Sequence, residues 1–148
     1  MGLLQEKWDE EQCRFEQGIF FANDEYVGLT RNPDGSFQAG ARSSLQSLID
    51  KEPEGWAGLD AACECSNDDY IVVGGGGSYE GEGFVALWDQ AQRDLKWLIR
   101  LHDIEVVTKV AMEGDVIQAI AKEYPYNNSL TIPIAEPQAV SVDYKYDV

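Results

Sequence analysis

Residues 83–101 read GFVALWDQAQRDLKWLIRL. Two apolar runs, 84–88 and 95–101, flank a polar hexapeptide, 89–94, whose composition suits a chain reversal. In the second run Leu95, Trp97 and Ile99 alternate with Lys96, Leu98 and Arg100, the period of two that a strand requires. A helix over 90–102 is the alternative, because Ala91, Leu95, Leu98 and Ile99 also fit a period of 3.6. The turn-like flanks favour strand. Two strands joined by a short polar turn make an antiparallel hairpin, and the rest of the chain is read outward from it.

Downstream, 105–112 and 116–121 pair across Glu113-Gly114-Asp115, and 129–134 is a last strand in which Pro133 suggests an edge. Upstream, 70–73 is a buried strand running into Gly74-Gly75-Gly76-Gly77-Ser78-Tyr79-Glu80-Gly81-Glu82-Gly83, read as a flexible loop. In the first half, 15–22 and 26–30 are strands, and Asn32-Pro33-Asp34-Gly35 is a strong turn signal before the returning strand 36–39. Ser43 or Ser44 caps a helix that ends before Pro53 and Gly55, with Leu45, Leu48 and Ile49 on one face. Residues 56–62 fit a strand or a further helical turn. Residues 1–14 form an N-terminal arm or short helix, 15–140 a single β-rich domain, and 141–148 a frayed tail.

Within 83–101, Leu87-Trp88-Asp89 and Leu95-Lys96-Trp97 fill the places that a strand ending in aromatic-Asp and a following LxW strand occupy in β-propeller blades. Residues 70–134 thus loosely resemble WD-repeat and quinoprotein-type blades. A propeller needs four or more such units, and 148 residues cannot close one. The expected fold is therefore mainly β, with α+β as the alternative: an antiparallel blade-like meander sheet with one or two short helices packed on it. The resemblance carries no site residue, because blades are scaffolds whose chemistry varies.

Charge is the strongest compositional signal. Against 11 Lys and Arg stand 27 Asp and Glu, a formal net charge of -16. Residues 1–70 carry 5 basic and 15 acidic groups, and 71–148 carry 6 and 12, so the acidity belongs to the whole chain. Such a field repels phosphate backbones and anionic lipid and speeds encounter with basic surfaces. The expected partner is a basic protein, with no direct nucleic-acid or membrane contact. No apolar run reaches the roughly 18 residues of a membrane span, and no basic n-region precedes an apolar run. A cytoplasmic protein is expected, bacterial or viral.

No motif fixes a chemistry. The glycine run lacks a following Lys-Ser or Lys-Thr at phosphate-loop spacing, and its Glu80 and Glu82 would repel phosphate. His102 precedes Asp103, but no nucleophile elbow occurs. Cys13, Cys63, Cys65 and His102 are the best four candidates for a tetrahedral metal site; their spacing favours three reduced thiols acting as small hydrophobes. No catalytic residue, metal or cofactor is expected.

Small acidic domains without catalytic motifs resemble in type the immunity proteins of bacterial toxin–immunity systems. That resemblance implies an acidic binding protein that neutralises a basic toxin or nuclease domain. The alternatives are a small carboxylate-site enzyme, a ligand-binding domain, or a structural or assembly protein. The residues expected to meet the partner are Asp68 and Asp69 at a hairpin end, and Tyr79, Glu80 and Glu82 on the glycine-rich loop.

Overall fold

In chain order the elements are α1 (Leu3–Asp9), β1 (Gln12–Arg14), β2 (Gly18–Phe21), β3 (Glu25–Arg31), β4 (Phe37–Ser44) and α2 (Leu45–Lys51). They continue with β5 (Trp56–Ser66), β6 (Tyr70–Gly77), β7 (Glu82–Asp89), β8 (Asp94–His102), β9 (Val107–Glu113), β10 (Val116–Glu123), β11 (Tyr126–Pro133) and β12 (Ser141–Tyr146). The computed structural model describes residues 2–77, 82–102, 104–123 and 126–146. The fold is mainly β. An eight-stranded antiparallel sheet in the order β1-β5-β6-β7-β8-β2-β3-β4 faces a four-stranded sheet in the order β12-β11-β10-β9. The two short helices lie on the opposite face of the large sheet, so β7 and β8 are covered on both sides.

That double burial explains the apolar runs. On β7, Val85 and Leu87 join the core between the sheets, while Phe84 and Ala86 join the core under the helices. On β8, Trp97, Ile99 and Leu101 face the small sheet and Leu98 faces the helices. A strand buried on both faces reads as a continuous apolar run. Each fully buried side chain of this size contributes roughly 1.5–3 kcal/mol. Trp97 also ties the layers together, its Nε1 donating to the Ile134 carbonyl at 3.2 Å.

The helices are fixed by local chemistry and by distant contacts. Ser44 caps α2, its Oγ accepting from the Ser47 N–H at 3.1 Å. Helix α1 is capped from the β2–β3 turn: Leu3 and Leu4 N–H groups each donate to the Asp24 carboxylate at 2.9 Å. This places Leu4 under the helix layer with Leu45, Phe20, Phe84 and Leu98. The Asn32–Gly35 turn forms as its residues suggest, with Gly35 at φ +90, where a Cβ would strike the Val142 backbone.

Three expectations are corrected, and the open reading of 56–62 is decided. The glycine run is not one flexible connection: Gly74–Gly77 belong to β6 and Glu82–Gly83 to β7. A Cβ on Gly74 would lie 2.6 Å from Val107 Cγ1, and one on Gly76 would lie 2.7 Å from Val106 Cγ2. The glycines let the β8–β9 connection and β9 pack directly on the sheet. Residues 56–62 are strand, and β5 continues to Ser66. Strand β11 is central, between β10 and β12, and Pro133 sits at its last position, beyond the last β12 pair, Thr131↔Ser141. Residues Ser141–Tyr146, expected in a frayed tail, form β12 against β11. Residues 94–102 are strand, as the alternation indicates.

Candidate functional site

The helices cover only part of the large sheet. Beside α1 they leave a groove whose floor is Ala61, Ile71, Val73 and Trp88 and whose central wall is the half-buried Trp8. Its two larger lobes hold about 310 and about 460 Å³. Among the described residues the charged ones that line it are Asp9, Glu11 and Glu64, all exposed and all acidic. An apolar, partly aromatic floor bordered by three carboxylates suits an amphipathic partner carrying positive charge.

Each rim residue is positioned by the fold. Asp9 closes α1, and its Oδ1 accepts from Gln5 Nε2 at 2.9 Å. Glu11 sits at the corner between α1 and β1 with φ 58, in the left-handed region that is unfavourable for a residue bearing a Cβ. Its carbonyl accepts the Leu59 N–H at 2.8 Å, which joins this corner to β5. Glu64 faces the groove because of a β-bulge between Ala61 and Cys63. Leu59 belongs to the core under the helices, whereas Cys63 and Cys65 pack against the core between the sheets. The extra residue shifts the strand's alternation by one, turning both thiols inward and Glu64 outward.

A second charged cluster lies at the other end of β6 and β7. Arg100 is 1 % exposed, and its guanidinium is held by the Glu82 carboxylate through Nε and Nη2. His102 Nε2 lies 3.2 Å from Glu82 Oε1 and 2.9 Å from the Phe15 carbonyl oxygen. Nearby, the buried Arg14 pairs with Glu16 at 2.8 Å and donates to the Leu48 carbonyl at 3.2 Å. Its guanidinium lies 5.2 Å from the Trp56 ring centre. Both arginines are committed to internal partners, so the cluster holds the sheet edge and α2 together.

Of the residues expected to meet a partner, Tyr79 and Glu80 lie outside the described residues. Asp68 and Asp69 are exposed in the β5–β6 turn, where Asn67 Oδ1 accepts from the Asp69 and Tyr70 N–H groups at 2.9 and 2.8 Å. That turn adjoins the Trp88 end of the groove, since Ile71 pairs with Trp88. Glu82 is a strand residue holding Arg100, not a side chain on a free loop. The ladder from Tyr70↔Asp89 to Gly76↔Gly83 separates it from Asp68 and Asp69 by about 20 Å. The structure therefore brings Asp68 and Asp69 toward the groove and leaves Glu82 away from it. Sequence reasoning missed Asp9, Glu11 and Glu64; the signal available was a Trp8 flanked by acids on a short amphipathic helix.

The three cysteines are free thiols. Cys13 is fully buried, and burial pushes its pKa up to about 12. Cys63 Sγ lies 3.5 Å from the Val107 carbonyl oxygen, a weak sulfur contact that joins β5 to β9. Among the described residues no group of three or more His, Cys, Asp or Glu side chains is arranged to hold a metal ion. No helix among them is long and apolar enough to cross a membrane. No protein-family model matches this chain, and neither a curated protein nor a solved structure matches it.

Proposed function

We propose that this chain is an acidic binding protein that neutralises a basic protein partner, as an immunity-type inhibitor of a bacterial toxin does, and that a nuclease domain is the partner whose chemistry fits best. The observation that carries the reading is the groove around Trp8, apolar on its floor, in which the charged residues among the described lining are Asp9, Glu11 and Glu64. A nuclease surface that holds phosphate is basic, and a carboxylate-rimmed groove competes for that surface. The chain-wide charge of -16 adds long-range steering to the local fit. The left-handed backbone at Glu11 supports the same reading, because strain at an exposed acidic corner is retained where the side chain it displays has a use. Cytoplasmic placement in a bacterium goes with this function.

The test is affinity capture from the native host, with identification of the bound chain and reconstitution of the complex from purified parts. The expected partner is basic, and its association slows at least tenfold between low and high salt. The triple variant Asp9→Lys/Glu11→Lys/Glu64→Lys should lose affinity by at least a hundredfold while keeping its native spectrum, since all three side chains are exposed. A partner of neutral or acidic charge, or a salt-independent association, removes the proposal.

A further inference from the structure

The large sheet has an open edge beside this groove. Strand β1 pairs with β5 only from Trp56 to Gly58, and the Leu59 N–H is taken by the Glu11 carbonyl. Beyond that point β5 runs to Ser66 with β6 on one side and no strand among the described residues hydrogen-bonded to the other. Residues 60–66 make an edge about 20 Å long. Asp60, Ala61, Ala62, Glu64 and Ser66 on it are exposed.

Natural sheets guard such edges with lysine, proline, inward charge or a bulge. This edge carries a bulge and two acids, but neither lysine nor proline. The opposite edge of the sheet, β4, differs: it carries Arg42, which is paired with Glu25. The charge on β5 selects what can add to it. A second copy brings the same acidic strand, and antiparallel pairing centred on Glu64 sets the two carboxylates directly opposite each other, which is unfavourable. A strand with lysine or arginine at that place forms opposite-charge cross-strand pairs instead.

We infer that the basic partner is held by strand addition: an extended segment of alternating basic and apolar residues pairs with Asp60–Ser66 of β5. Its backbone completes the edge, a basic side chain meets Glu64 on the groove face, and the apolar side chains that alternate with it point to the opposite face of the sheet, beside Cys63, Val110 and Ile120. This rests on the reading of the chain as a binder of a basic protein and names how that protein is gripped.

The probe is a pair of nine-residue peptides of alternating lysine and valine. One has free amides; the other is N-methylated at alternate residues, so that charge and side-chain order are kept while one edge's donors are lost. The free-amide peptide should bind at least tenfold tighter at low salt. It should slow hydrogen exchange of the amides of Asp60–Ser66 and leave those of Phe37–Ser44 unchanged. Glu64→Lys should weaken it at least tenfold with the native spectrum retained. Equal affinity of the two peptides, or protection on β4 instead of β5, overturns strand addition while the basic-partner reading stands. Failure of both peptides to bind at low salt overturns both. A mass that doubles with protein concentration, with protection of 60–66 in the absence of peptide, makes the occupant a second copy and overturns the inference.

Discussion

The guanidinium of Arg100 occupies the space that a side chain at residue 77 would fill. A Cβ on Gly77 would lie 2.5 Å from Arg100 Nη2, so the last glycine of β6 is the floor of a buried ion pair. The neighbouring glycines serve other packing contacts. A Cβ on Gly75 would collide with the Asp60 carbonyl oxygen and lie 2.9 Å from Phe84 Cε1. Gly75→Ala should therefore destabilise the fold by about 3 kcal/mol, at the upper end for an overpacked site. Gly40, on exposed β4, would meet only the Gly28 carbonyl oxygen at 3.6 Å, and Gly40→Ala should stay within about 0.5 kcal/mol of the parent. Urea unfolding of both variants measures the difference; equal midpoints would remove the steric account.

Glu82→Gln leaves Arg100 buried and without its counter-charge. The expected cost is about 3 kcal/mol, because a buried charge deprived of its partner keeps its desolvation penalty. The double variant Glu82→Leu/Arg100→Met removes both charges at similar volume and should recover most of that loss. Thermal unfolding of the single and double variants tests this directly.

Trp97→Ala should cost about 3–5 kcal/mol, since the ring is 3 % exposed in the core between the two sheets. Part of that loss is the bond from Nε1 to Ile134. Trp97→Phe, which keeps an apolar ring and loses the donor, should fall between parent and alanine variant in denaturant midpoint.

Cys13 sets an alkaline limit. Its thiol rises from 9.0 to about 12 on folding, with burial as the first cause. Below pH 9 the thiol is protonated in both states and has no effect on the pH dependence. From pH 9 to about 12 the unfolded chain gives up the proton and the folded chain keeps it, so stability falls as pH rises through that window. The Cys13→Ala variant should lose less stability over the same range. At pH 8 a thiol reagent should label Cys13 in the native protein only as fast as the protein unfolds, and rapidly in urea.

Much of the fold was legible because its chemistry is local. The alternation in 95–101, the turn at Asn32-Pro33-Asp34-Gly35 and the Ser44 cap each rest on residues a few positions apart. The candidate site was legible only in its charge. Asp9 and Glu11 are distant in sequence from Glu64, and the ladder from β1 to β5 is what sets them around Trp8. Glu82 was misplaced for the same reason: its partner is 18 residues away, and Arg100 set among Leu98, Ile99 and Leu101 was the hint that a buried carboxylate must face it.

By itself the sequence determined a mainly antiparallel β protein with one or two short helices and a strongly acidic charge, since period, turn chemistry and charge act over short range or need only be summed. The tertiary structure decided that a run of four glycines is strand and not loop. Glycine has no side chain to declare a face, so its role is set by what packs on it: Val107, Val106, Phe84 and Arg100. The tertiary structure also inserted β2 beside β8, pairing Ile19 with Ile99, and left β5 with an open edge next to Trp8. Those outcomes depend on which distant surfaces are buried together.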